Sequence, residues 1–435
     1  MHDRAPQRSL SPGYRPARLV LAISAHALLR VASSAGAALI GIWLAGLARQ
    51  GSAIDARLVG ALAASSFGAE LVGSVPLGTA ADAMSMRVLM SLGALLGAAA
   101  TLLFALQVSV PLFFTSRVLE GLAVAAVTPA LLRLLAADTA HDPGRRAKMM
   151  SGFELSLLAG LALGALVGSQ LWIALARRAF AAIAILYGVC ALLLWRSVPA
   201  RPGAGPEAAL RGLRGALTDT HVRRLAPVWL CVNAVIGVWL GPTLSFVLSE
   251  RRSGRQYLDG IFAARPGDIG WLLLLYAIVF GAGLALWATR LPRVGARATM
   301  RVSLWAMLAV CAALGLLNHS AGWPVWGRAM LGLAVMLLIM LESGFGPAAL
   351  SWLAESLGAE TGTGATMGIY SVLLSSGALA GSLVGGWAAA LWHMDGLLMT
   401  TALLAAGALG LLARMPAAAT SPVTGAKKRT IHVNP

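Results

Sequence analysis

Several charged residues interrupt the apolar stretches of this 435-residue sequence, and five of them are its best candidates for chemistry. They are Arg30, Glu70, Arg117, Glu120 and Arg328. An isolated charge at the centre of a bilayer costs at least ~2.5 kcal/mol, so such a residue needs a partner, access to water or a functional role. A buried carboxylate can take up and release a proton, and an arginine beside it changes its proton affinity. We predict that these residues couple substrate binding to proton binding.

Arg30 and Glu70 fall at similar depths in two consecutive predicted spans that run in opposite directions. This placement permits an ion pair that fixes two neighbouring helices, and it equally permits a proton or substrate site that faces a cavity. Both interpretations stay open from the sequence alone. His26 lies one turn from Arg30 and is able to join the pair, although a lone histidine on a packed helix usually has a backbone partner.

Arg117 and Glu120 are three residues apart, so their side chains project from nearly the same helix face. They can simply neutralise each other. Arg328, in a repeat of the same motif, has Leu331 where Glu120 would stand. The nearest acid on its own helix, Glu342, is about 21 Å away at the helical rise. Arg328 must therefore face another helix, water or an anion, and we expect the same of Arg117.

The composition shows what surrounds these charges. Of all residues 58% are hydrophobic and only 12% are charged, and the mean hydropathy is +0.78. A soluble domain carries about 25% charged residues, so most of this chain must face hydrocarbon or other buried helices. Apolar runs of about 20 residues cross a bilayer as helices, and we predict an all-α membrane protein of twelve spans. The spans run approximately over 19–48, 58–80, 88–107, 110–137, 149–172, 179–198, 226–249, 269–291, 299–317, 323–341, 365–391 and 396–413.

The basic residues predict the orientation of these spans. With the amino terminus on the cytoplasmic side, cytoplasmic segments hold 22 of the 34 Lys and Arg residues, and the loops of the other side hold eight. This excess is the positive-inside pattern. We expect cytoplasmic termini in a multi-pass protein of the cell (inner) membrane. The net charge of +17 then reflects topology and anionic lipid head groups, and no nucleic-acid partner is expected.

Three ordered repeats indicate that the chain is doubled. A loop at 199–224 separates a predicted N-terminal bundle at 19–198 from a C-terminal bundle at 225–413, with tails at 1–18 and 414–435. The sequence RVLEGLAV from Arg117 returns as RAMLGLAV from Arg328, 211 residues later. Glycines spaced by four recur in spans 5 and 11 at an offset of 217. The predicted packing or hinge glycines are Gly121, Gly160, Gly164, Gly168, Gly332, Gly377, Gly381 and Gly385. Such regular offsets indicate two homologous halves.

The third repeat lies in two loops. The loop after span 2 has GTAADAMSMR from Gly78, and the loop after span 8 has RLPRVGAR from Arg290. With the spacing of Arg117 and Gly121 in span 4, these patterns resemble the motifs of the major facilitator superfamily, over about 19–413. The resemblance assigns a gating motif to Gly78, Asp82, Arg87, Arg293, Gly295 and Arg297.

The motifs also depart from the family pattern in places. Ala83 and Ser85 replace a basic residue and a glycine in the first loop, and Pro292 replaces the acid in the second. In span 5, Ala165 stands where antiporters usually carry a proline. Export by exchange is therefore only suggested by the resemblance, while membership of the family is well supported.

The resemblance implies two six-helix bundles around a central cavity that work by alternating access. We expect a secondary transporter of a small molecule, proton-coupled and exporting, and we expect a monomer that is not an enzyme and uses no cofactor or metal. The sequence has no phosphate-binding loop and no cluster of His, Cys and carboxylates. Two alternatives stay open: a non-transporting membrane scaffold or sensor of the same fold, and an uncoupled facilitator.

Overall fold

A computed structural model of the protein describes residues 16–83, 85–106, 109–139, 143–200, 220–250, 254–357 and 363–415. Helices make up nearly all of these residues, and none of the described residues forms a strand. In chain order the helices are α1 (Pro16–Arg49), α2 (Ala56–Ala83), α3 (Met86–Leu106), α4 (Val110–Asp138), α5 (Pro143–Leu175), α6 (Ala179–Ser197), α7 (Thr220–Trp239), α8 (Pro242–Ser249), α9 (Asp268–Val294), α10 (Ala296–Asn318), α11 (Val325–Glu342), α12 (Phe345–Leu357) and α13 (Thr363–Arg414). Most of the predicted central loop and both predicted tails lie outside the described residues.

The helices follow the apolar runs of the sequence. Within the described residues, nine stretches are long and apolar enough to cross a membrane. The stretch Ser156–Ser197 contains most of α5 and all of α6, and Val372–Arg414 contains both arms of a helix that breaks at His393. The predicted fold class, an all-α integral membrane protein, is confirmed. The count of twelve spans stays a prediction.

Two predicted spans are broken inside the membrane. The seventh divides between α7 and α8, where Pro242 occupies the first turn of α8. Proline has no backbone N–H to continue the preceding helix. The tenth divides at Ser343 and Gly344 between α11 and α12, and it continues to Leu357 rather than ending near 341 as predicted. Glu342 therefore lies near the middle of this span, not at its end.

The outer surface of the molecule is apolar. Large side chains with more than 70% of their surface exposed include Val72, Val325, Trp326 and Leu403. A soluble monomer rarely exposes such a surface over large patches. In a bilayer the same side chains contact lipid tails, which agrees with a multi-pass membrane protein.

Two glycine ladders hold the closest helix pairs together. Gly160, Gly164 and Gly168 of α5 face α1, where a Cβ atom added at each would overlap Arg30, Ser34 or Ala35. The second ladder, in α13, repeats this packing on α7: added Cβ atoms at Gly377, Gly381 and Gly385 would lie against Asn233, Ala234 and Val238. Lipid gives helices little hydrophobic drive to associate, so close backbone approach at small residues supplies the packing energy.

The two halves are thus built on the same helix pairing, α1 with α5 and α7 with α13. Gly121 of α4 likewise approaches the backbone of Ser66 in α2. Its counterpart in the sequence repeat, Gly332, behaves differently, because an added Cβ would meet no atom within 4 Å. The structure gives Gly332 none of the close packing that the repeat predicts.

The loop repeat also has a structural counterpart at the ends of the last helices. Arg87 donates from Nε to the carbonyl oxygen of Val198 at 2.8 Å, just after α6. Arg297, 210 residues later, donates from Nη2 to the carbonyls of Leu412 at 3.2 Å and Met415 at 2.5 Å, at the end of α13. A cation on the free carbonyls of a helix end is favourable. In this structure both arginines stabilise their own bundle.

The glycine ladder gives the first testable prediction. Gly381→Ala places a methyl group on the carbonyl of Ala234, and we expect it to lower the free energy of unfolding by about 1–3 kcal/mol, as overpacking does. Gly332→Ala is the matched control, since it adds a methyl group to open space and removes the helix penalty of glycine, about 0.5–1 kcal/mol. Thermal unfolding of the purified protein in detergent should separate the two variants. Equal midpoints for both would contradict this packing.

Candidate functional site

A cleft lies between the two halves of the molecule. Its cavity volume is about 30 Å³, enough for about two water molecules. Ser34, Ala37 and Ala38 of α1 form one wall, together with Ala165 of α5. The other wall comes from the second half and contains Trp239, Leu240, Gly241, Leu244, Ser245, Leu273 and Tyr276. The cleft is mostly apolar, and in this conformation it is far smaller than the pockets of about 300–1,000 Å³ that hold small molecules.

The cleft is closed on one side, which we call the loop face and define by residues 50–55, 176–178, 254–267 and 319–324. Arg49 donates from Nη1 to the carbonyl oxygens of Ser249 at 2.7 Å and Ala263 at 2.8 Å, and so joins the two halves. Gln170 of α5 donates to the carbonyl oxygen of Gly267 at 3.0 Å. Gly60 and Gly386 bring α2 and α13 into backbone contact nearby.

Charged groups reinforce the loop face. The guanidinium of Arg57 lies 4.6 Å from the ring centroid of Trp387 in the other half, a favourable cation–π contact. Glu250 lies between Asp55 of the first half and Asp259 and His393 of the second. His393 Nδ1 is 3.5 Å from Asp259 Oδ1.

Arg30 lies one turn from the cleft. It precedes Ser34 by four residues on α1, its backbone and Cβ pack against Gly160, and its side chain is half-buried. Within the described residues it forms no ion pair within 4.0 Å. Its nearest charged and titratable neighbours are Glu70 and His26, with which it interacts at longer range. The direct pairing of Arg30 with Glu70, left open by the sequence, is therefore absent from this conformation.

Glu70 faces the seam between the halves. Its carboxylate accepts a hydrogen bond from the hydroxyl of Ser375 in α13. The positive charge of Arg30 in α1 acts on the same carboxylate at longer range. Two residues earlier on α2, Gly68 packs on Leu379 of the same partner helix. Glu70 is thus an acid of the first half whose partner belongs to the second, and its surroundings must change when the halves move.

Arg117 and Glu120 lie inside the N-terminal bundle, away from the cleft. Both are 5% exposed, and they form a direct ion pair. Ser33 of α1 donates to Glu120 Oε1 at 2.8 Å. Tyr187 of α6 interacts electrostatically with both charges, and Gly97 leaves room for its ring. This is the neutralising arrangement, and the expectation that Arg117 faces another helix, water or an anion is not met, because its charge is paired with Glu120 on the same helix.

His26 belongs to a separate polar contact. Its Nδ1 is 2.8 Å from Ser156 Oγ and its Nε2 is 3.3 Å from Thr128 Oγ1. Its ring stacks on Phe153 with centroids 4.8 Å apart. The imidazole is fully buried and satisfied by hydroxyl groups rather than by backbone, so it connects three helices instead of joining Arg30.

Arg328 and the gating residues are also placed by the structure. Arg328 lies in the first turn of α11, near the loop face, with its guanidinium 4.8 Å from the ring centroid of Tyr257.

Arg293 is exposed, and Gly295 has φ +84, a conformation that favours glycine, at the junction of α9 and α10. The backbones of Gly78 and Asp82 belong to α2, while the side chain of Asp82 lies outside the described residues.

Sequence reasoning missed two polar residues. Glu342, placed by the prediction at a span end, sits at the break between α11 and α12, within electrostatic reach of Tyr276 and Cys311. Asn233 of α7 is 2% exposed, and its Nδ2 has no hydrogen-bond partner. The glycine repeat could have identified Asn233. Asn233 packs against the first glycine of one ladder, as Arg30 packs against the first glycine of the other.

The buried ion pair generates a double-mutant prediction. Arg117→Gln or Glu120→Gln alone leaves a buried charge without its partner, which costs about 3–5 kcal/mol. The double variant removes both charges, and we expect it to lose less stability than the two single variants combined. Thermal unfolding midpoints of the four proteins measure this coupling. Additive losses would mean that the two residues stabilise the bundle independently.

The acidic group at the loop face generates a pH prediction. Burial raises the pKa of Glu250 above its ordinary value; His393 opposes this effect, while Asp259 and Asp55 add to it. A folded state with a raised carboxyl pKa holds its proton more tightly than the unfolded chain, so its stability is greatest at acid pH and falls as the pH rises from about 4.3 through the raised value. Glu250→Gln should flatten the dependence of the unfolding midpoint on pH. The exposed Asp268→Asn serves as control and should keep the wild-type slope; an unchanged slope in both variants would contradict the assignment.

Comparisons with known proteins agree with this architecture. The model of the Major Facilitator Superfamily matches residues 27–253. Among solved structures, the nucleoside transporter NupG has a TM-score of 0.65 at 14% identity and covers 89% of this chain and 97% of its own. The human organic anion transporter MFSD10 (TETRAN) has a TM-score of 0.62 at 19% identity, covering 91% and 99%.

A bacterial homologue of the human lysosomal transporter Spinster, solved in an inward-facing and unoccupied conformation, has a TM-score of 0.63 at 14% identity, covering 92% and 95%. At these identities the structures share the fold alone. No curated protein sequence matches the chain. The match of the family model over more than half of the chain, together with the doubled helical architecture, shows that this protein belongs to the Major Facilitator Superfamily.

Proposed function

We propose that the protein is a secondary active transporter that exports a small molecule across the cell membrane by alternating access, coupled to protons. The observation that carries the proposal is Glu70, an intramembrane carboxylate of one half whose hydrogen-bond partner, Ser375, belongs to the other half. A rocking motion that separates α2 from α13 removes this partner. The affinity of the carboxylate for a proton then changes with the conformation, which is what coupling requires.

The orientation follows from the basic residues. If the termini are cytoplasmic, the loop face is extracytoplasmic and the conformation described here is closed to the outside. The named contacts between the halves, from Arg49 at the loop face to Glu70 near the middle, lie on that side. The cleft would then be reached from the cytoplasm. This is the conformation in which an exporter takes up its substrate.

The cleft argues for transport over a scaffold or sensor of the same fold. A scaffold needs no cavity between the halves and would pair its intramembrane charges. Here the cleft lies on the seam, Arg30 lies one turn from it, and no ion pair joins Arg30 to Glu70 within the described residues. The three similar solved structures named above are transporters, of nucleosides and organic anions in two cases.

The role of Glu70 can be tested in proteoliposomes. Glu70→Gln keeps the hydrogen bond with Ser375 possible but removes the titratable proton, so we expect transport driven by an imposed pH gradient to be abolished while substrate binding persists. The measurement is flux across a substrate panel with and without a pH gradient. Glu342→Gln is the matched control, because it neutralises another intramembrane carboxylate, and it should retain gradient-driven flux.

Two outcomes would contradict the proposal in different ways. Full gradient-driven flux in Glu70→Gln would exclude Glu70 as the coupling residue. Wild-type flux that ignores both pH and Na⁺ would indicate an uncoupled facilitator, and the absence of any flux despite binding would favour the scaffold or sensor.

A further inference from the structure

We propose that a group of arginines around the junction of α9 and α10 binds the head group of an anionic phospholipid. We call this group the arginine rim, and its members are Arg290, Arg293, Arg297, Arg301 and Arg414. Lipid binding at this place goes beyond the proposed transport function and does not depend on it. Three features support it: the uncompensated charge of the rim, its position beside lipid-facing surface, and its absence from the other half of the molecule.

The turn between α9 and α10 brings four of these arginines together. Gly295, with φ +84, is the single residue between the two helices, so α9 and α10 meet there. Arg293 precedes Gly295 by two residues and Arg297 follows it by two. Arg290 and Arg301 lie about 7.5 and 9 Å from the turn along their helix axes. Since α9 begins and α10 ends at the loop face, the turn lies at the opposite end of the bundle.

Arg297 brings the end of α13 to the same place. Its Nη2 donates to the carbonyl oxygens of Leu412 at 3.2 Å and Met415 at 2.5 Å, and the exposed Arg414 stands between these residues in the chain. Arg297 is thus held by the fold. The other four arginines of the rim are exposed, and none of them forms a hydrogen bond or an ion pair within the described residues.

The helices that carry the rim contain no acid to neutralise it. The sequence has no Asp or Glu between Asp268, the first residue of α9, and Glu342, the last residue of α11. None follows Asp395 in α13 or in the rest of the chain. Guanidinium groups donate several hydrogen bonds at once and match the geometry of phosphate oxygens. The free donors of the rim therefore suit a phosphate-bearing partner.

The rim borders surface that contacts lipid tails. Leu286, Arg290 and Arg293 are spaced by four and three residues on one face of α9, and all three are exposed. On α10 the exposed Trp305 follows Arg301 by four residues on the same face. Tryptophan and snorkelling arginine side chains are typical of the level where hydrocarbon meets head groups. A phospholipid can lay its acyl chains on these stripes while its phosphate meets the rim, which favours a lipid over a soluble anion.

The first half shows that the fold does not require these charges. Arg87 and Arg297 are equivalent at an offset of 210, and both bind carbonyls at the end of a helix. At the same offset three arginines of the rim have small uncharged counterparts, namely Ala80, Ala83 and Ser91 for Arg290, Arg293 and Arg301. The arginine that stabilises a bundle is thus common to both halves, and the free arginines belong to the second half alone. If the termini are cytoplasmic, they face the leaflet that carries anionic lipid.

Lipid retention by the full-length protein in detergent tests the site. Native mass spectrometry would count the lipids kept from micelles doped with phosphatidylcholine, phosphatidylglycerol or cardiolipin, which are zwitterionic, singly anionic and doubly anionic. We expect cardiolipin to be kept best, because its two phosphates engage more arginines, and phosphatidylcholine least. Arg290→Ala combined with Arg301→Ala should weaken cardiolipin retention roughly 10- to 30-fold, at about fivefold for each arginine near a membrane surface.

The matched control removes the same charge from the other end of the molecule. Arg178 and Arg265 are exposed arginines of the loop face, and neither forms a hydrogen bond through its side chain or an ion pair within the part of the chain that the structure describes. Arg178→Ala combined with Arg265→Ala should therefore keep the wild-type retention of cardiolipin.

Thermal unfolding separates a lipid site from a structural role. The side chains of Arg290 and Arg301 make no polar contact with the described residues, so we expect their double variant to keep the wild-type midpoint in neutral detergent. Cardiolipin should raise the midpoint of the wild type by mass action, and the double variant should lose most of this increase. Glycerol phosphate, which has the head-group chemistry without acyl chains, should leave both midpoints unchanged at the same concentration.

The proposal is overturned if phosphatidylcholine is retained as well as cardiolipin, or if the loop-face variant loses as much cardiolipin as the rim variant. It is also overturned if the rim variant is less stable in neutral detergent and keeps its full response to cardiolipin. An equal increase in midpoint with glycerol phosphate would exclude a lipid site in favour of a soluble anion. None of these results bears on gradient-driven flux, which the Glu70 variant tests separately.

Discussion

Close contact between backbones at the glycine ladders is the constraint on which the rest of this structure depends. Helices in lipid gain little from hiding apolar surface, so their association relies on van der Waals contact, and contact is closest where a side chain is missing. The ladders of α5 and α13 provide that contact with α1 and α7. They also fix the rotation of α1 and α7 about their axes. Arg30 and Asn233 occupy equivalent positions in the two halves, because each packs against the first glycine of its ladder.

Polar groups are distributed differently inside the bundles and at the seam between them. Within the first bundle, Arg117 is neutralised by Glu120, and His26 is satisfied by two hydroxyls. At the bundle ends, Arg87 and Arg297 bind free carbonyls of their own half. At the seam, by contrast, Glu70 depends on the other half. The paired groups of the first bundle can thus move with it as one body, whereas the hydrogen-bond partner of Glu70 is lost when the two halves separate.

The sequence predicts the helices and their doubling because both depend on local or repeated information. Apolar runs give the spans, and constant offsets give the two halves, including the equivalence of Arg87 and Arg297. What the sequence cannot supply is which residues meet across helices. The partner of Glu70 comes from α13, some 300 residues away, and Arg328 meets an aromatic ring in a loop. Glu342 was misplaced because the break at Ser343 and Gly344 resembles the end of a span, although the chain resumes as α12.

The contacts that close the cleft at the loop face are weak enough to be broken when the two halves move apart. Its named polar contacts between halves are few: Arg49 on two carbonyls, Gln170 on one, and Arg57 over Trp387. A hydrogen bond from a charged group contributes about 1.5–3 kcal/mol and a neutral one about 1 kcal/mol. The rest of the seal consists of close backbone contacts at glycines and of apolar packing between the two halves, and these contacts are lost together once the helices separate. A shift from 1:99 to 99:1 between two states requires about 5.5 kcal/mol of differential binding, so a few hydrogen bonds to a ligand that binds only one state are of the size needed to change the balance.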